Sequence, residues 1–246
     1  MKNGWFTTSL ILALSVCGLA ARAQQSVDLI MDNLTSSVLA QTTALLNSNA
    51  VMAASRNAAA ERRTGRDSTT ARRVNLAYSP TIALQQQTVR DLSQQLQARS
   101  PAAVQALNNA FGPGKADYSQ LFREMVKQSG LPADNAATAF AAYIELAYAI
   151  VHDVQHERAS TPAMDQALQR QMTTLLSQND KLSSPSTVAK FGETIKLQAI
   201  LLYVSWQDAR KSEQASQFRS VVAQQFRKQG LDLSLVKLTA QGMSRK

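Results

Sequence analysis

Ala136-Ala137-Thr138-Ala139-Phe140-Ala141-Ala142-Tyr143-Ile144-Glu145-Leu146-Ala147-Tyr148-Ala149-Ile150-Val151 is apolar nearly all the way round when wound as a helix. A second stretch, Ile195 to Trp206, has the same character and contains Leu197, Ile200, Leu201, Leu202, Tyr203 and Val204. A helix with no polar face must be surrounded by other helices or by lipid. Lipid is excluded by charge and length. Glu145 interrupts the first stretch, and Lys196, Gln198, Gln207 and Asp208 bound the second, whereas a span needs about 20 apolar residues. Flanking segments are apolar on one side only. Leu121, Phe122, Met125 and Val126 make one stripe; Phe218, Val221, Val222 and Phe226 make another. Two enclosed helices among one-sided ones predict an all-α, irregular multi-helix bundle.

Proline and glycine set the boundaries. Ser100-Pro101 and Thr161-Pro162 each place a capping hydroxyl before a proline at the first helical position, and Ser79-Pro80 and Ser184-Pro185 can do the same. Gly112, Gly130 and Gly230 follow apolar-periodic segments, where a left-handed C-terminal cap belongs. Helices are predicted over 80–99, 101–111, 117–129, 134–157, 162–179, 186–211 and 213–229. No strand is predicted. Leu231 to Val236 alternates briefly, but Asp232 and Ser234 also suit a short helix start. The start spacings are irregular, so the two similar Pro-led stretches reflect shared capping and not a repeat.

Residues 1–23 have the three parts of a secretory signal: Lys2, an apolar run opened by Leu10-Ile11-Leu12-Ala13-Leu14, and the small-x-small site Ala21-Arg22-Ala23. Leu14-Ser15-Val16-Cys17 resembles a lipoprotein motif, but Val16 stands where a small residue is wanted. Cleavage after Ala23 removes Cys17, the single cysteine. The mature chain then has no thiol chemistry and must rely on its own core. Residues 24–79 are expected to form a mobile helix-prone arm with an Arg-rich linker, because 40–73 lack aromatics and hold Arg62, Arg63, Arg66, Arg72 and Arg73 near their end. Residues 80–246 are expected to be the globular domain. The chain carries a formal net charge of +9, and residues 210–246 hold eight Lys/Arg against two Asp/Glu. In an exported protein such a basic end points to an anionic envelope surface before nucleic acid. Arg219, Arg227, Lys228, Lys237, Arg245 and Lys246 are the candidate contacts.

His152-Asp153-Val154-Gln155-His156-Glu157 is the sharpest chemical pattern. Histidines four apart share a helix face, as in zinc proteases. Asp153 stands where those enzymes need Glu, and the chain has no third histidine. Glu145 shares the face but lies about 10.5 Å along the axis. The simpler reading is a solvated helix end, where the dipole favours His. Glu145 itself, in the most apolar helix, is either a perturbed acid or base or the satisfied partner of a neighbouring helix. The arginine run has no interleaved aromatics for base stacking, which fits a solvated linker better than a nucleic-acid contact. Trp206, the one Trp after cleavage, reads as core or rim. P-loops, nucleophile elbows, dinucleotide fingerprints and EF-hand loops are absent.

The stretch from Asp134 to Tyr143, the helix around Leu201-Leu202-Tyr203-Val204, and the ending from Phe226 to Met243 together resemble an uncharacterised family of exported bacterial proteins, a domain of unknown function. The likeness covers mainly residues 134–243 and implies a helical fold and a bacterial source, but no activity. The expectation is an exported, non-enzymatic interaction or envelope-associated module. It would need no cofactor, and its partner would be a protein or an envelope polyanion, with peripheral membrane contact and no span. The alternative is a metal-binding protein or hydrolase using Glu145, His152 and His156.

Overall fold

The computed structural model describes residues 74–98, 100–154 and 160–246. The signal segment, the arm and arginine run up to residue 73, and His156 lie outside the described residues. Within them seven α-helices follow one another: α1 (Ile82–Gln97), α2 (Pro101–Phe111), α3 (Tyr118–Val126), α4 (Ala136–Val151), α5 (Pro162–Ser177), α6 (Pro185–Lys211) and α7 (Ala215–Lys228). A small antiparallel hairpin follows, β1 (Val236–Thr239) and β2 (Gly242–Arg245). The protein is an all-α irregular bundle with this one addition.

The helices start where hydroxyl and amide side chains can take up their first free N–H groups. Ser100 accepts from the Ala103 amide, Thr161 from Met164, and Ser184 forms a reciprocal capping box with Thr187. The Ser79-Pro80 start shifts: Thr81 caps α1, accepting from Leu84. Asn135 caps α4 through the amides of Ala137 and Thr138. The helix expected over 134–157 ends at Val151, with Asp153 in the left-handed region at φ 51°. Gly112 ends α2 with φ −66°, not left-handed as expected. Its requirement is space, since a Cβ would lie 2.4 Å from the Asn108 carbonyl oxygen.

α6 is the axis. α4 packs along it, and α1, α3 and α7 lie against it; α5 packs on α4. Phe140, Ile144, Ala147 and Ile150 of α4 and Val188, Ile195 and Leu202 of α6 are fully enclosed. Phe140 meets Phe191 edge-on at 5.9 Å, and Tyr143 lies 5.5 Å from Phe226. Both all-apolar stretches are thus interior, as their sequence requires.

The absence of strands is corrected by the hairpin, which pairs Val236 with Arg245 and Leu238 with Met243 across the Ala240-Gln241 turn. A two-stranded ribbon is marginal alone, and here α5 supports it. Gln171, fully buried, gives its amide Nε2 to the Met243 carbonyl at 3.2 Å and takes the Met243 amide on Oε1 at 2.8 Å. One side chain thus completes the ladder as a third strand would. The expected helix start at Leu231 to Val236 shrinks to a 3-10 turn, Leu233–Leu235.

The chain before α1 is docked on the domain. Leu76 is buried, its carbonyl accepts the Ala136 amide at 2.9 Å, and the Tyr78 amide donates to the Asp134 carbonyl at 3.1 Å. The Tyr78 ring lies over Gly192 on α6. A Cβ at 192 would come within 2.3 Å of the Tyr78 Cε1 and 2.7 Å of its hydroxyl. Gly192→Ala should therefore destabilise the protein by about 1–3 kcal/mol through overpacking, despite the gain of about 1 kcal/mol that Ala brings to a helix interior. In a Tyr78→Ala background the same change should become neutral or stabilising. Urea unfolding of the four proteins tests this, and a stabilising Gly192→Ala in the wild-type background would refute it.

Candidate functional site

The densest polar cluster is one that a lysine creates inside the apolar core. Lys196, on α6, has no exposed surface. Its Nζ donates to Glu193 Oε1 at 2.8 Å, to Asp134 Oδ1 at 2.7 Å and to Ser119 Oγ at 3.2 Å. Glu193 lies one turn earlier and is equally buried. Its Oε1 also accepts from the Tyr78 hydroxyl at 2.9 Å, and its Oε2 accepts from the Tyr118 hydroxyl at 2.8 Å. The Lys196 ammonium sits 5.0 Å from the Tyr78 ring centre and 5.8 Å from that of Phe122. Burial, followed by the Glu193 charge, pushes both tyrosine hydroxyls far above the ordinary phenol range. They remain donors across the physiological range.

Ser119 lies beside Lys196 as a nucleophile lies beside a base, but both side chains are closed to solvent. The Lys196 Nζ is engaged by three oxygens, and no substrate can reach either residue without the packing around them opening. The cluster joins four elements: the segment before α1, α3, the start of α4, and α6. Removing one partner of such a buried pair costs roughly 3–5 kcal/mol, while apolar replacement of the whole set can be neutral. The cluster therefore fixes register more than it adds stability.

The sequence did not point to it. In the sequence Lys196 has the look of the polar edge of an apolar helix. The available signal was Glu193 and Lys196 three apart, one turn of helix with apolar neighbours on both sides.

The expected Glu145 and His152 pair is not brought together. Glu145 is partly buried and faces the start of α5, accepting the Ser160 hydroxyl on Oε1 and sharing a hydrogen bond with Asp165. Burial first, then the Asp165 charge, pushes its carboxyl up to about 7, with Ser160 pulling the other way. His152 points to another element. Its Nε2 lies 3.0 Å from the Leu233 carbonyl oxygen, which can only accept, so Nε2 carries the proton. Its ring also packs 4.3 Å from that of Tyr148. Among the described residues no three His, Cys, Asp or Glu converge as a metal site. Trp206 is core, packed 5.8 Å from Phe218.

The structure divides the basic candidates. Arg219 pairs with Asp153 at 2.6 Å and Arg227 with Asp232 at 2.9 Å, so both are held within the fold. Lys246 Nζ donates to the Ser234 carbonyl at 2.8 Å, which leaves its charge unneutralised by that contact. Lys228, Lys237 and Arg245 are exposed. No described helix is long and apolar enough to cross a membrane.

The profile of a family of unknown function, DUF6683, matches residues 7–246, and the chain belongs to that family. No curated protein and no solved structure matches it.

The Glu145 and Asp165 pair makes stability depend on pH. The folded carboxyl of Glu145 is raised from 4.5 to about 7, so protons bind the folded state more tightly. This contribution is complete below the ordinary carboxylate range and is lost as pH rises through about 7. Glu145→Gln keeps the neutral shape. It should remove that loss and leave the variant about 2 kcal/mol more stable than wild type near pH 8, with little difference near pH 5. Denaturation midpoints at both pH values check it, and an equal pH dependence in the two proteins would contradict it.

Proposed function

We propose that this member of the family is an exported module that works by contact and not by catalysis, in or near the cell envelope of its producer. The supporting observation is where the polar chemistry lies. Lys196, Glu193, Ser119 and the two tyrosine hydroxyls are turned toward one another in the interior, and a catalytic group has to reach its substrate. The unbalanced charge is at the surface of the C-terminal end. Export is supported by Lys2, the apolar run from Leu10, and Ala21-Arg22-Ala23. The partner is a protein or an envelope polyanion. The reading of a hydrolase or metal protein loses support, because Glu145 is partnered across to Ser160 and Asp165 and His152 commits Nε2 to Leu233. Cross-linking in the producing cell, followed by capture of the tagged protein, tests the contact role.

Intact-mass analysis of the protein released by the cell should give a chain beginning at Gln24 and carrying no lipid. A chain retaining residues 1–23, or one beginning at Cys17 with an acyl group, would contradict the export route.

A further inference from the structure

Ile82 and Leu235 stand out as large apolar side chains left exposed, at 74% and 61%. Ile82 opens α1 alone. Leu235 lies among cations. It ends the 3-10 turn that leads into β1, and the Lys246 amide donates to its carbonyl at 3.0 Å, extending the hairpin pairing by one step. Side chains alternate across a ribbon and paired residues share a face. Leu238 and Met243 face α5 and are buried. The opposite face therefore carries Leu235 beside Lys246 and Lys237 beside Ser244. Arg245, paired with buried Val236, belongs to the other face, although it is exposed at the ribbon's end.

The turn that presents Leu235 is rigid. Leu231 and Leu233 are fully buried on its inner side. The Asp232 carboxylate accepts from the Ser234 amide at 3.0 Å and from its hydroxyl at 2.6 Å, and Arg227 holds it at 2.9 Å. Leu235 is thus held outward by a fixed scaffold, which lowers the ordering cost of any docking.

Resting on the envelope reading above, we infer that this outer face of the hairpin docks on an anionic lipid bilayer. Leu235 enters the acyl boundary while Lys237 and Lys246 meet the headgroup phosphates. Charge selects the sign of the surface, and the apolar side chain selects a bilayer. An apolar tip flanked by two lysines matches the headgroup boundary, where interfacial segments bury apolar groups beneath their basic ones. A soluble polyanion offers Leu235 no apolar phase.

The test is flotation with vesicles of phosphatidylcholine alone and of phosphatidylcholine mixed with phosphatidylglycerol, using protein recovered after export so that every variant has the same N-terminus. Wild type should float with the anionic vesicles, stay behind with the neutral ones, and be released by added salt. Leu235→Ser should weaken the partition about tenfold, and Lys237→Gln with Lys246→Gln about twentyfold. Ile82→Ser should leave it unchanged. All of these positions are exposed, and circular dichroism checks that each variant stays folded. No flotation with anionic vesicles at low salt would overturn the inference. So would wild-type partition of the Leu235→Ser protein, which would mark a purely electrostatic contact such as a soluble polyanion makes. Cross-linked capture from the producing cell, run on the same variants, separates the two readings. A partner still captured by protein that does not float leaves the contact role standing and removes only the bilayer.

Discussion

A lysine ammonium without access to water has to be surrounded by acceptors, because the bare cost of desolvating it is many kcal/mol. Lys196 meets that demand with Glu193, Asp134 and Ser119, and Glu193 meets its own with Tyr78 and Tyr118. Beyond Glu193 on α6 itself, these partners come from α3, the start of α4 and the segment before α1, so one buried charge dictates where three elements lie relative to α6. Asp134 has a further role, since its carbonyl accepts the Tyr78 amide while its side chain takes Lys196. Next to it Asn135 starts α4. A shift of α4 along α6 by one turn would strip Lys196 of a carboxylate and Tyr78 of its backbone partner together. Apolar packing alone tolerates such slips far better than a cluster in which every polar atom is assigned.

The helices were legible because their signals are local. Capping hydroxyls before Pro101, Pro162 and Pro185 each precede a real helix, and both all-apolar stretches became the two central rods. What stayed hidden is long-range. The hairpin has neither Asn-Gly nor Asp-Gly at its turn, and its edge is completed by Gln171, 72 residues away. Nothing near either strand announces that partner. The docking of residues 74–79 was hidden for the same reason. Leu76 and Tyr78 sit beside an Arg-rich stretch, and only Gly192 on α6 makes room for the tyrosine ring. Lys196 is hidden because a single cation at the end of an apolar run normally marks the water boundary.

The same division runs through function. Of the residues singled out for chemistry, Glu145 and His152 are tied to separate neighbours, and Arg219 and Arg227 are paired within the fold. The polar groups around Lys196 and Glu193 are occupied with one another. Features still facing outward are concentrated on the hairpin end, where the turn at Leu233–Leu235 is fixed by buried leucines and by Asp232. Sequence could supply the charge of that end. The position of Leu235 among the cations requires the ribbon's register.

If the Lys196 cluster organises the molecule, the segment before α1 is part of its cooperative core and not a loose lead-in. Native-state amide hydrogen exchange reads this directly. The Tyr78 amide, bonded to the Asp134 carbonyl, and the Ala136 amide, bonded to the Leu76 carbonyl, should exchange as slowly as Ile200 and Leu202 in the middle of α6. Fast exchange at Tyr78 and Ala136 while α6 stays protected would contradict the account.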